Sequence, residues 1–133
     1  VREGVLKVIL SWLKSQKENL VLPAINALRH LTNSHDEYMR GWIHSQIVNE
    51  YALPIIIKLA VFDDLHVRSA VAQILSNLSE SASHTRAAIV DAKGVSYLVQ
   101  LLVDATHDVP NGKIDEPLAL AAGRAILLLA AVE

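Results

Sequence analysis

Three stretches of this chain repeat one pattern, and that repetition limits the fold more than any other feature. The first is Glu3-Gly4-Val5-Leu6-Lys7-Val8-Ile9-Leu10-Ser11-Trp12-Leu13. The second is Glu50-Tyr51-Ala52-Leu53-Pro54-Ile55-Ile56-Ile57-Lys58-Leu59-Ala60, and the third is Lys93-Gly94-Val95-Ser96-Tyr97-Leu98-Val99-Gln100-Leu101-Leu102-Val103. Gly4 to Tyr51 is 47 positions and Tyr51 to Gly94 is 43. A period near 40 residues is that of stacked helical units, none of which can bury its apolar face alone.

Each stretch is followed by a longer helical pattern, over Asn19–Thr32, Asp64–Ser79 and Pro117–Val132. In the second, Val67, Val71, Ile74, Leu75 and Leu78 recur at spacings of three and four and form one apolar stripe. Ile25, Leu28 and Leu31 form the equivalent stripe in the first. Leu118, Ala122, Ala125, Ile126 and Leu129 form it in the third. Asp64 is placed to cap its helix, and Pro23 is read as falling in a first turn, where a missing N–H costs little. A shorter helix over Thr85–Lys93 precedes the third unit. Gly94 then suits a left-handed C-cap that turns the chain into the next helix.

These residues resemble the armadillo repeat family. Arg86-Ala87-Ala88-Ile89-Val90-Asp91-Ala92-Lys93-Gly94 running into Leu98-Val99-Gln100-Leu101-Leu102 is similar to the family's "Arg-x-x-Ile-Val-x-Ala-Gly" and "Leu-Val-x-Leu-Leu". Ile74-Leu75-Ser76-Asn77-Leu78 resembles its third-helix "Ala-Leu-x-Asn-Leu", and Ala52-Leu53-Pro54 its "Ala-Ile-Pro". The resemblance covers nearly the whole chain. It implies an all-α fold, a right-handed α-solenoid of about three repeats filling residues 1–133, with units near 1–33, 34–80 and 81–133. The chain opens on Val1 and closes on Glu133 straight after an apolar run, so it is expected to be part of a longer solenoid.

Two irregularities stand out. The third unit carries eight extra residues around Asp104–Glu116, including Pro110-Asn111-Gly112, and is expected to form a surface loop there. Four extra residues between Leu28 and Tyr51 are expected to add one turn to the helix carrying Tyr38, Trp42 and Ile43.

Composition narrows the function. With 52% hydrophobic residues the chain can bury a core, which excludes intrinsic disorder. Net charge is −2 with no basic cluster, so nucleic-acid binding has no support. No apolar run is long enough to cross a membrane. There is no cysteine, and no histidine pair stands four residues apart, so neither a metal site nor a thiol nucleophile is expected. No phosphate-binding loop or catalytic motif occurs, and no enzyme activity or cofactor is expected. Without cysteine or a recognisable signal segment, an intracellular protein, cytoplasmic or nuclear, is expected.

The expected function is therefore a protein-interaction scaffold whose partner is a protein or peptide. In peptide-binding members of the family, a ladder of Asn on the long helices holds an extended peptide, with Trp one turn earlier. On that register the binding positions here are Asn26 and His30, Gln73 and Asn77, and Arg124 and Leu128. Only Asn77 keeps the family's Asn, and no position keeps the Trp. The same fold also serves regulators of small GTPases and myosin chaperones, which form the alternative reading. Leu10-Ser11-Trp12 bears a faint likeness to the former. Among the aromatic residues, Trp12 and Tyr97 are read as core, and Trp42 as an open case. In the last long helix Leu120, Leu128 and Ala131 should leave apolar surface uncovered, and self-association through that unit is expected.

Overall fold

The computed structural model describes residues 2–59, 64–107 and 116–130, and the side chains of 4–59, 64–104 and 116–130. Within them the helices are α1 (Arg2–Ser15), α2 (Glu18–Thr32), α3 (Glu37–Asn49), α4 (Ala52–Lys58), α5 (Leu65–Ser79), α6 (Ser83–Asp91), α7 (Gly94–His107) and α8 (Glu116–Leu129). No strand occurs among the described residues, so the fold is all-α. None of these helices is long and apolar enough to cross a membrane.

The apolar stripes lie where their spacing puts them. Leu6, Ile9, Leu10 and Leu13 of α1 pack on α2, whose Val21, Ala24, Ile25 and Leu28 are buried. Helix α2 packs on α5, and α5 on α8, so the three long helices lie side by side through the molecule. Helix α5 is buried on two faces: Val67, Val71, Ile74 and Leu78 on one, Ala72, Leu75, Ser76 and Ser79 on the other. Each fully buried Leu or Ile contributes roughly 1.5–3 kcal/mol, which makes this double-faced central helix the main source of cohesion.

The helix starts follow local chemistry. The Asp64 carboxylate accepts from the backbone N–H of His66 at 2.8 Å and of Val67 at 3.4 Å. Asp36 does the same for Tyr38 and Met39 at 3.0 and 3.2 Å. Both satisfy N–H groups that the first turn leaves without carbonyl partners. The four extra residues before Tyr51 form the expected turn, since α3 has 13 residues and α6 has 9.

Four expectations change. The left-handed residue before α7 is Lys93, at φ 66°, not Gly94, which begins the helix. Tyr51 before α4 has the same conformation at φ 55°, so the two turns are 42 positions apart. Glycine is needed at 94 for room: a Cβ there would lie 2.5 Å from Cγ2 of Ile89 and 3.0 Å from its carbonyl oxygen.

Pro23 is the sixth residue of α2, past the first turn, because that helix begins at Glu18. Pro23 is exposed, and water can reach the carbonyl that its missing N–H leaves unbonded.

The loop expected over Asp104–Glu116 does not hold at its two ends. Residues 104–107 continue α7 and Glu116 already belongs to α8, while 108–115 lie outside the described residues. Asp104 is held in that last turn by a hydrogen bond from Gln100 at 3.0 Å and an ion pair with Arg68 of α5 at 3.8 Å.

Trp12 is 39% exposed on the side of α1 away from the core. The core-facing stripe of α1 is filled by Leu6, Ile9, Leu10 and Leu13, which leaves Trp12 outside it.

Candidate interaction surface

The side-by-side placement of α2, α5 and α8 creates a run of shallow grooves on one surface. The first, about 410 Å³, has Leu22, Asn26 and Arg29 of α2 on one side, His66, Ser69 and Gln73 of α5 on the other, and Pro117 of α8 at its edge. Arg29 and Gln73 carry it into a second groove of about 420 Å³, where they are joined by His30, Asn33 and Asn77. Asn33 and Asn77 continue into a third of about 720 Å³, bounded by Glu37, Tyr38, His44 and Glu80.

The predicted binding residues fall into distinct settings. Asn26 and Gln73 are half-buried and face each other across the first groove; His30 is exposed at the second. Asn77 is buried, and its amide reaches across to the end of α2. Its Nδ2 donates to Thr32 Oγ1 at 3.0 Å and to the Arg29 carbonyl at 3.4 Å, while its Oδ1 accepts from Gln73 Nε2 at 3.1 Å. Arg124 is exposed on α8 and pairs with Glu80 at the end of α5. Leu128 is half-buried and lines none of the three grooves; the exposed leucines of α8 are Leu120 and Leu127. Ala131 lies outside the described residues.

Thr32 is the centre of a polar cluster that the sequence did not single out. Its hydroxyl donates to the Arg29 carbonyl at 3.0 Å while accepting from Asn77. Its own carbonyl lies 2.9 Å from Nε2 of His44, a buried histidine of α3. A carbonyl can only accept, so that nitrogen carries the proton. Burial holds the His44 pKa below its ordinary value of 6.5; the Thr32 hydrogen bond opposes that shift, and the nearby Arg40 charge adds to it. The last carbonyls of α2 are thus bonded to side chains from two other helices, where a helix end would otherwise leave them open.

A second feature escaped the sequence comparison although its signal was present. Arg40-Gly41-Trp42-Ile43 repeats the Arg-x-x-Ile spacing of Arg86-Ala87-Ala88-Ile89. Both arginines are the fourth residue of their helix, and both isoleucines are buried. Arg40 Nη1 donates to the Ser34 carbonyl at 2.8 Å, and Arg86 Nη1 to the Ser81 carbonyl at 3.0 Å. Each guanidinium ties its helix to the turn that precedes it.

Of the aromatic residues, Tyr38 and Tyr51 are largely exposed, while Trp42 packs partly against the core. Tyr97 is also partly buried. Burial pushes its phenol well above the usual range, Arg68 opposes the shift and Asp104 adds to it. Among the described residues no group of three or more His, Asp or Glu could hold a metal ion.

No protein-family model matches this chain, and no curated protein does. A crystal structure of an engineered protein is similar, with a TM-score of 0.75 at 24% sequence identity. The match covers 98% of this chain and 51% of that one, so the chain spans about half its length. At that identity the likeness is one of fold, and what the two proteins share is an all-helical, repeat-like architecture.

Proposed function

We propose that this chain is a protein-interaction scaffold of the armadillo-type solenoid class, and that it binds an extended protein segment along the grooves over α2, α5 and α8. One observation carries the reading. The side chains of Asn26, Ser69 and His66 converge on one groove, and among the described residues none of them makes a hydrogen bond. Asn26 and Ser69 are half-buried and His66 is exposed, and all three line the groove with side-chain donors and acceptors available to a ligand. Leu22, Ala70 and Pro117 supply apolar wall between them. That mixture suits a peptide, whose backbone takes the polar groups and whose side chains take the wall.

Asn77 contributes differently. Its amide is engaged with α2, so it holds the second groove in shape, and Gln73, whose Nε2 it anchors, presents the remaining amide oxygen. Arg29, His30 and His66 favour a segment with acidic or carbonyl-rich character at this end.

The test is selection of binders from a displayed peptide library, followed by affinity measurement with Ser69→Trp and Asn26→Ala. The first fills the groove and the second removes one free amide. Selected peptides should lose at least tenfold in affinity to Ser69→Trp while the circular dichroism spectrum stays unchanged. Peptides that bind both variants as tightly as the parent chain would place the binding surface elsewhere.

A further inference from the structure

Charge divides the run of grooves into two ends. Among the described residues no carboxylate lines the first two, whose basic side chains are Arg29, His30, His35 and His66. The third is lined instead by two exposed carboxylates, Glu37 and Glu80, and by Tyr38, which is 81% exposed. These walls come from units that are both present in the chain. His84 holds on α6 the position that Tyr38 holds on α3, since Arg86 matches Arg40. It is exposed although α3 packs beside α6, so the exposure of Tyr38 belongs to its place in the repeat.

The cations near the third groove leave its carboxylates open to a ligand. Arg40 lines it, but its Nη1 donates to the Ser34 carbonyl at 2.8 Å, and its contact with Glu37 is long, at 4.0 Å. Arg124 reaches Glu80 from α8, and both side chains of that pair are exposed. Exposed ion pairs are weak because water screens the two charges, so a ligand cation can take the place of Arg124. Gly41 leaves room in the same groove: a Cβ there would meet nothing within 4 Å.

We infer that the bound segment is bipolar, with acidic side chains over the first two grooves and a Lys or Arg over the third. An acidic side chain there takes charge-assisted hydrogen bonds from Arg29. A basic side chain lies across the Tyr38 ring, with Glu37 and Glu80 to balance its charge. The spacing follows from α5, which runs the length of the grooves. Arg29 and Gln73 line both of the first two grooves, and Glu80 stands seven positions beyond Gln73, about 10 Å along a helix. His66, in the first groove, stands fourteen positions before Glu80, about 21 Å. An extended chain crosses those distances in about three and six residues. The inference rests on the grooves being the peptide-binding surface, and it adds the chemistry of what they take and the register in which it lies.

The probes are peptides selected on the parent chain from the displayed library, resynthesised with a fluorescent label and measured by anisotropy. Their sequences should place Asp or Glu about three to six residues from a Lys or Arg. Arg29→Glu should weaken them by about tenfold or more, and changing the peptide's acidic residues to Lys should restore most of the loss. Glu37→Lys combined with Glu80→Lys should act likewise, with rescue by peptides whose basic residue is changed to Glu. The two sets of changes alter opposite ends of the surface, so each is an independent trial, and unchanged helical circular dichroism confirms folding. Selected peptides that lack the charge pattern yet lose affinity to Ser69→Trp overturn the inference and leave the groove reading intact. Patterned peptides that the reversals neither weaken nor rescue overturn it as well. Peptides indifferent to Ser69→Trp overturn both readings.

Discussion

Replacing Asn77 separates a structural bridge from a ligand-binding ladder. In the structure its amide makes two good contacts, with Thr32 Oγ1 at 3.0 Å and Gln73 Nε2 at 3.1 Å, and a long one to the Arg29 carbonyl at 3.4 Å. A neutral hydrogen bond contributes about 1 kcal/mol net, and one shared with half-exposed Gln73 contributes less. Asn77→Ala should therefore cost about 2 kcal/mol in urea-induced unfolding, with the Arg29 carbonyl still bonded by Thr32. Asn77→Asp should cost more, about 3 kcal/mol, because a buried carboxylate has no proton to give Thr32 and faces the Arg29 carbonyl. The decisive measurement is a double-mutant cycle with Thr32→Val. Residues in one hydrogen-bonded network couple by about 0.5–3 kcal/mol. Peptides selected on the parent chain should meanwhile bind folded Asn77→Ala within a few-fold of the original affinity. Additive costs in the cycle would refute the bridge, and loss of peptide binding with no loss of stability would assign Asn77 to the ligand.

Lys93→Gly should raise stability by about 1 kcal/mol, since a non-glycine residue in the left-handed region costs roughly 1–2 kcal/mol, partly offset by glycine's extra unfolded entropy. Gly94→Ala should lower it by roughly 1–3 kcal/mol through overlap with buried Ile89; equal and small effects at both positions in thermal melts would contradict the placement of the turn. For His44 the folded pKa lies below the unfolded value of 6.5, so the unfolded chain gains a proton that the folded chain resists. Stability from this group is intact above pH 6.5 and falls as pH drops below it, by at most about 1.4 kcal/mol per pH unit. Urea titrations at pH 7.5 and pH 5.5 should show the difference shrink in His44→Gln, which can still donate to the Thr32 carbonyl. Arg40→Ala and Arg86→Ala should each cost about 1–2 kcal/mol by removing a charged donor from a turn carbonyl, and amide hydrogen exchange should quicken first at Ser34–Asp36 and Ser81–Ser83 respectively.

What could be read from the chain itself is what depends on spacing and on near neighbours. Apolar residues at three and four positions apart can form one face only on a helix, so α2, α5 and α8 were legible to within a few residues. Asp64 as a cap was legible because it acts on the N–H groups two and three residues ahead. The extra turn of α3 followed from counting. Other features were not decided locally. Gly94 looked like a left-handed cap because glycine tolerates that conformation, but the need for glycine arises from Ile89, five residues back and folded against it. Thr32, His44 and Asn77 are ordinary polar residues until packing brings the end of α2 between α3 and α5 and leaves their groups with no water to bond. Likewise, Leu127 and Ser76 hold the same position in their helices, and no local rule distinguishes a leucine left in solvent from a serine sealed inside. That difference depends on whether another unit packs alongside. Sequence determined the helices and their repeat, because those follow from contacts within about one turn. Tertiary structure decided which faces are covered, because burial belongs to the neighbour as much as to the residue.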